Sequence, residues 1–217
     1  LGANLAIIQA GNVTQGGVRL GAGASSTLTD EDARAVAAEV EDVVASASVI
    51  TTRAQAVYAG TNWSTTITAT DLDFFTAREW GLAEGRLFEP EELRRGEIVA
   101  IIGQTVAKNL FGEGDPLGQM FRIRNVPFKV IGVMAGKGQS ALGQDQDDVI
   151  FVPLDTGRRR IVGRKYARDR SVQTIMVKFA SEAAINPGIE QTRALLRQRH
   201  RLTEDQDATV VHVGEEP

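Results

Sequence analysis

The densest group of side chains able to hold a metal lies in Gly143-Gln144-Asp145-Gln146-Asp147-Asp148. Hard cations take oxygen ligands, so Asp145, Asp147 and Asp148 offer a calcium site. Their spacing does not follow the EF-hand loop: the fifth position from Asp145 is Val149, and no glycine stands at the sixth. The other reading is a solvated turn whose carboxylates accept backbone N–H bonds ahead of a strand.

Just upstream, Gly136-Lys137-Gly138-Gln139-Ser140 has the composition of a phosphate-cradling loop without its spacing, and no Lys-Ser/Thr pair follows the last glycine. Ser140 is also no nucleophile elbow, because Leu142 stands where that motif needs glycine. The stretch reads as a flexible loop. The chain has no cysteine and only two histidines, His200 and His212. Disulfides, thiolate zinc sites and cysteine nucleophiles are therefore excluded, and neither a transition-metal site nor any cofactor is expected. No Ser–His–Asp spacing is present, and 28 acidic residues single out no catalytic pair. His200, after Arg197 and Arg199, suits the C-terminal end of a helix dipole.

The uneven charge feature is Arg158-Arg159-Arg160 followed by Arg164, Lys165, Arg168 and Arg170, with Asp169 the only acid among them. In a chain of net charge −4 this is a local positive field. It could dock an acidic partner surface or lipid head groups, or be a solvated helix face. The overall negative charge opposes general nucleic-acid binding, which needs a cationic surface. Asn12-Val13-Thr14 and Asn62-Trp63-Ser64 match glycosylation sequons, which matter only in a glycosylating host.

These residues need a folded support, and 217 residues at 42% hydrophobic content can bury a core. The longest apolar runs, such as Ile98 to Ile102, are strand-sized and short of the roughly 20 residues that span a bilayer. The sequence opens on Leu1 with no visible signal peptide, as expected of a fragment excised from a longer chain, or else of a processed soluble protein.

Leu5 to Ile8 reads as a strand and the glycine-rich Gly11 to Ser26 as a mobile loop or a long ordered excursion. Thr29 caps a helix with acids in its first turn, and Ala33, Val36, Ala37 and Val40 share one face. Ser48 to Tyr58 and Thr65 to Thr70 form a hairpin across Gly60-Thr61-Asn62. A short helical or irregular segment opens at Asp73-Phe74-Phe75 around Trp80, broken by Gly81 and Gly85. Glu97 to Ile102 is a strand, Gln104 to Phe111 a helix closed by Gly112, and Met120 to Ile123 with Phe128 to Val133 a second hairpin. Val149 to Val152 is a strand stopped by Pro153. Ile175, Val177 and Phe179 alternate, which predicts one buried face. Asn186-Pro187 opens a helix to about His200, and Thr209 to Val213 is the last strand. Trp63, Trp80, Phe74, Phe75, Phe111 and Phe121 read as core. The fold class is α+β. Residues 1–70 and 170–217 read as two halves of one subdomain, with 71–169 inserted between them.

The succession of motifs carries further. Leu1-Gly2-Ala3-Asn4-Leu5, Leu28-Thr29-Asp30-Glu31-Asp32-Ala33, Asn62-Trp63-Ser64-Thr65 and Gly85-Arg86-Leu87-Phe88 come first. Then come Ile102-Gly103-Gln104-Thr105-Val106, Leu110-Phe111-Gly112, Asp115-Pro116-Leu117-Gly118, Val130-Ile131-Gly132-Val133, Gly138-Gln139-Ser140, the Gly143–Asp148 run and Val152-Pro153-Leu154. In this order they resemble the periplasmic core domain of MacB-like ABC transporter permeases, over nearly the whole chain. The resemblance implies a porter-like subdomain, split by a small α/β insertion. It implies an extracytoplasmic module of an inner-membrane efflux permease, between two transmembrane helices, so that both chain ends face the membrane. It also implies an ATPase domain elsewhere, a homodimeric transporter, and a periplasmic adaptor as partner. No catalytic residue is implied; the module would transmit ATP-driven motion. The surfaces expected to meet a partner are the loop, through Gly138, Gln139, Ser140, Leu142 and Gln144, and the basic run, through Arg158, Arg159, Arg160, Arg164 and Lys165. The rival reading is a metal-dependent or hydrolytic extracytoplasmic enzyme whose site is assembled from distant residues.

Overall fold

The computed structural model describes residues 4–9, 14–15, 18–19, 27–200 and 209–213. The loop expected over Gly11 to Ser26 lies largely outside the described residues, as do the two chain ends. Both ends of the described chain meet in one sheet. Strand β1 (Leu5–Gln9) lies between β12 (Thr209–Val213) and β11 (Thr174–Phe179), antiparallel to each, with Leu5 opposite both Val213 and Lys178. Strands β2 (Thr14–Gln15) and β3 (Val18–Arg19) pair with each other.

Helix α1 (Asp30–Glu39) starts where the sequence places it. The Thr29 hydroxyl accepts from the Asp32 N–H and the Asp32 carboxylate accepts from the Thr29 N–H, a reciprocal cap. Ala33, Val36 and Val40 face the core, but Ala37 is exposed, so the buried stripe is narrower than the spacing suggests.

Strand β4 (Val43–Tyr58) is 16 residues long and joins two halves of the sheet. Its first part pairs with β11 through Val49, and its second part with β5 (Thr61–Thr70) from Ile50 onward. The β4–β5 turn is only Ala59-Gly60, at φ 46° and 81°, tighter than the predicted one. Two positive φ values match the twist of the flanking strands. Arg124-Asn125, at φ 50° and 65°, does the same between β8 (Met120–Ile123) and β9 (Val126–Met134), which leaves Pro127 in the strand.

Beyond β5 the chain enters α2 (Leu72–Ala77), capped by Asp71. Strand β6 (Leu82–Gly85) and helix α3 (Pro90–Arg95) follow, where the sequence reading places no strand or helix of this extent. Then come β7 (Val99–Ile102), α4 (Gln104–Phe111), β10 (Val149–Pro153), α5 (Leu154–Gly157), a π-helical turn over Arg158–Val162, α6 (Arg164–Asp169) and α7 (Ile185–His200). The ten strands run β12-β1-β11-β4-β5-β10-β7-β9-β6, with β8 bridging β4 and β9.

Around β11 both faces of this sheet are covered, while the second part of β4 keeps one face exposed. One face packs against α1, α4 and α7 around Ile8, Ile50, Phe121, Phe128 and Phe179; the other packs Phe74, Phe75, Trp80, Phe88 and Phe151 from α2 and its neighbours. Strand β11 is therefore buried on both sides, Met176 and Lys178 included, and its alternation does not mark a solvated face. Helix α7 begins at Ile185, after a 3₁₀ turn over Glu182–Ala184. Burial of Ala184 and Ile185 draws its start forward, so Asn186 sits within the helix and is not its cap.

A self-capped loop and a divided basic segment

Loop 136–148 leaves the end of β9 and returns into β10. Its aspartates work separately. The Asp147 carboxylate accepts from the Lys137 N–H at 2.7 Å and the Gly138 N–H at 2.9 Å. Asp145 accepts from the Asp147 N–H at 2.9 Å and the Thr105 hydroxyl at 2.6 Å. Asp148 accepts from the Trp63 indole at 2.9 Å and the Thr65 hydroxyl at 2.6 Å. Among the described residues no group of three His, Cys, Asp or Glu side chains is placed to hold a metal. Each of the three carboxylates accepts from backbone, hydroxyl or indole donors, the arrangement that the turn reading describes.

The base of the loop is close-packed. A Cβ on Gly103, at the β7–α4 joint, would lie 2.1 Å from the Asp147 carbonyl oxygen, so only glycine lets the loop approach. The Gly103 N–H donates to Val149 O and the Thr105 N–H to Asp147 O. Lys137 folds inward, donating to the Arg78 carbonyl at 2.9 Å and lying 5.3 Å from the Trp80 ring centroid. Burial, with the charge of Arg78, holds its amine below the usual lysine range.

What projects is the tip. Gly138, Gln139, Leu142 and Gln144 are exposed, and Leu142 reaches 84%. Ser140 is half-buried and closes the turn, its N–H donating to Gln144 O and its hydroxyl accepting from the Gln144 N–H.

The basic run divides in two. Arg158 is 1% exposed, so it is withdrawn from the docking surface. Its guanidinium donates to Asp30 at 3.2 Å, Asp155 at 3.0 Å, and the Arg170 and Ser171 carbonyls. Arg170 also binds Asp30, at 2.7 Å. Burial pushes the Asp30 carboxyl up, but the Arg170 hydrogen bond and the Arg158 charge together outweigh it and hold it below its ordinary range. By contrast Arg159, Arg160, Arg164 and Lys165 are exposed, with no ion pair among the described residues. Lys165 and Tyr166 line an open cleft of about 580 Å³ with Thr51 and Gln173.

Two anchoring acids escaped the sequence reading. Asp30 and Asp32, taken only as first-turn acids, each tie α1 to a segment distant in sequence. Asp32 accepts from Arg199 at 2.8 Å, and His200 Nε2 lies 2.8 Å from its other oxygen. His200 and Arg199 thus grip α1, where the sequence suggested a dipole role at the end of α7. No local signal marks this, because the partners lie 168 residues apart.

The mixed α/β fold is that of extracytoplasmic domains of ABC-type transporters. The extracellular domain of YknZ from Gram-positive bacteria superposes with a TM-score of 0.73, at 19% identity over 94% of this chain and all of that one. The periplasmic region of MacB from Actinobacillus actinomycetemcomitans superposes at 0.75, at 19% identity over 98% of this chain and 90% of the other. Sequence goes further than fold. The model of the MacB-like periplasmic core domain matches residues 1–195, and the chain belongs to that family. Its curated relatives include the macrolide export ATP-binding/permease proteins MacB of Chlorobaculum tepidum, 35% identical over 96% of this chain, and of Azoarcus sp., 37% identical over 95%. The chain spans about a third of their length, 31% and 30% respectively. The family is a transporter periplasmic domain and not an enzyme family.

Proposed function

We propose that this chain is the extracytoplasmic module of an inner-membrane ABC efflux permease, set between two membrane-spanning segments, and that it transmits ATP-driven motion to a periplasmic adaptor. In the whole transporter it works as a homodimer driven by an ATPase domain. The observation that carries the reading is the pairing of Leu5 with Val213, which brings the two ends of the described fold side by side. A module tethered at both ends to one membrane needs that arrangement. From there β4 runs from Val43 to Tyr58, about 50 Å at ~3.3 Å per residue, a stiff strut from the tethered end to the far tip.

The division into a porter-like subdomain, 1–70 with 170–217, and an insertion, 71–169, belongs to this reading. It is supported by β1, β11 and β12 assembling on the first part of β4. Strand β5 pairs in parallel with β10 of the insertion, so the seam runs along the β4–β5 hairpin.

The docking surfaces are the loop tip at Gly138, Gln139, Leu142 and Gln144, and the cations Arg159, Arg160, Arg164 and Lys165. The basic segment flanks Ser171 to Thr174, at the end of β11 away from Leu5 and Val213. That favours an acidic protein surface over lipid head groups. Reversing the four exposed cations in the full-length transporter tests this by co-purification with the cognate adaptor and by adaptor-stimulated ATP turnover. Loss of both, with the fold intact, is expected; retention equal to wild type removes the basic segment from the model.

A further inference from the structure

Strand β4 has an open stretch in the edge that faces β11 and β8. On the other edge, the Ser46 and Ser48 N–H groups donate to Asp73 and Asp71, and Tyr58 closes the hairpin opposite Thr61. Hydrogen-bonding direction alternates along a strand, so the even-numbered residues face β5 and Thr51, Arg53, Gln55 and Val57 face outward. Thr51 is satisfied there by a side chain. Its N–H donates to the Gln173 Oε1 at 2.9 Å and its carbonyl accepts from Nε2 at 3.2 Å, so the Gln173 amide stands in for a strand residue. Val57 pairs with Arg122 of β8. Between them, the N–H and carbonyl of Arg53 and the N–H of Gln55 have no partner among the described residues, while the Gln55 carbonyl faces Arg124 across the Ala56–Ile123 pair of the β8 ladder.

The open groups, from Arg53 to the Gln55 N–H, span about 7 Å at ~3.3 Å per residue, enough to pair with two or three residues of an extended segment between the Gln173 amide and the β8 turn. Unpaired edge groups are a template for one. The surroundings define its chemistry. Thr52 and Ala54, on the inward face, are only half-buried, and Ala54 packs against the core, so inward side chains of an added strand would be apolar. Arg53, Arg122 and Arg124 are exposed around the gap, and the cleft at its Thr51 end is lined by Lys165 and by no acid among the described residues. The outward side chains would therefore be acidic. A second copy of this edge fits poorly, since it would set Arg53 and Arg122 against their own like.

We infer that the outer edge of β4 at Arg53 and Gln55 is a strand-addition site for an extended segment of a partner protein in which apolar and acidic residues alternate. The inference stands independently of the docking roles given to the loop and the basic segment.

The probe is a fluorescein-labelled peptide of alternating valine and glutamate, titrated onto the 217-residue chain by fluorescence anisotropy. A lysine-for-glutamate peptide and a glutamate peptide N-methylated at alternate residues serve as controls. Expected are saturable binding of the glutamate peptide alone and slowed amide exchange at Arg53 and Gln55. Gln55→Pro removes an outward N–H and leaves the β5 ladder of Ala54 and Ala56 in place, so at least tenfold weaker binding with a wild-type melting curve is expected. Should that variant not fold, Arg53→Glu with Arg122→Glu is expected to reverse the preference toward the lysine peptide. Several results would overturn the inference. These are no binding of the glutamate peptide, equal binding of the N-methylated peptide, no protection at Arg53 and Gln55, or unchanged preference in the charge-reversed variant. A concentration-dependent dimer that protects the same amides would also overturn it, by assigning the edge to self-association.

Discussion

Asp30, at the first turn of α1, receives the guanidinium of Arg158 at 3.2 Å, and the two side chains are 8% and 1% exposed. The contact ties α1 to the π-helical turn and, through the Arg170 and Ser171 carbonyls, to the start of β11. Removing one partner of a buried ion pair leaves the other uncompensated, at a cost of about 3–5 kcal/mol. Arg170 still holds Asp30, so Arg158→Ala is expected near the lower end, about 3 kcal/mol, in urea unfolding. Arg159→Ala, one residue on and exposed, is expected within about 0.5 kcal/mol of wild type. Equal effects of the two substitutions would contradict the division of the basic run.

Asp71 gives stability an unusual pH dependence. Its carboxyl caps α2 while accepting the Ser48 N–H at 3.1 Å, and burial, with the Asp73 charge beside it, raises its pKa from 3.8 to about 6. The folded state then binds a proton more tightly than the unfolded chain. Stability from this group is full below pH 3.8 and declines as pH rises through 6. The decline is expected to be no more than about 3 kcal/mol, given about 1.4 kcal/mol per pH unit. Denaturant midpoints between pH 4 and 7 measure it, and Asp71→Asn should flatten the profile. Asp30 acts with the opposite sign: its carboxyl is held low, so its contribution is lost on acidification below the ordinary carboxylate range.

Gly103 sets the closeness of the loop to α4. With a Cβ 2.1 Å from the Asp147 oxygen, Gly103→Ala must displace the backbone that carries the Gly103–Val149 and Thr105–Asp147 hydrogen bonds. A loss of about 1–3 kcal/mol is expected, the range of overpacked sites. Exchange of the Thr105 amide should accelerate more than that of Ile67 in the centre of β5.

Elements set by local chemistry were legible in the residues: the Thr29 cap, both hairpins, the strand–glycine–helix joint at Gly103. What was not legible depends on distant partners. Arg158 looks like its neighbours in sequence, and only Asp30, 128 residues away, distinguishes it. The alternation of Ile175, Val177 and Phe179 is true of one face but says nothing of α2 covering the other, where Met176 lies. Strand β6 was missed because it is short and mostly exposed, held by pairing with β9 and not by its own apolar content. The acidic loop was read in both possible ways, and the choice required seeing where each carboxylate points.

That loop supplies the last prediction. Asp147 is 8% exposed and spends both oxygens on the Lys137 and Gly138 N–H groups. Asp147→Ala leaves two donors without their acceptor, at about 1–3 kcal/mol where they stay out of water. The segment should loosen locally, since the β9 and β10 pairings do not use this carboxylate. Lys137 would then lose its inward seat against Trp80 and become a trypsin site. Rapid cleavage after Lys137 in the variant, slow cleavage in the wild type, and no change in either on adding calcium are the expected results. Calcium-dependent protection of the wild type would instead show that the aspartates converge on an ion.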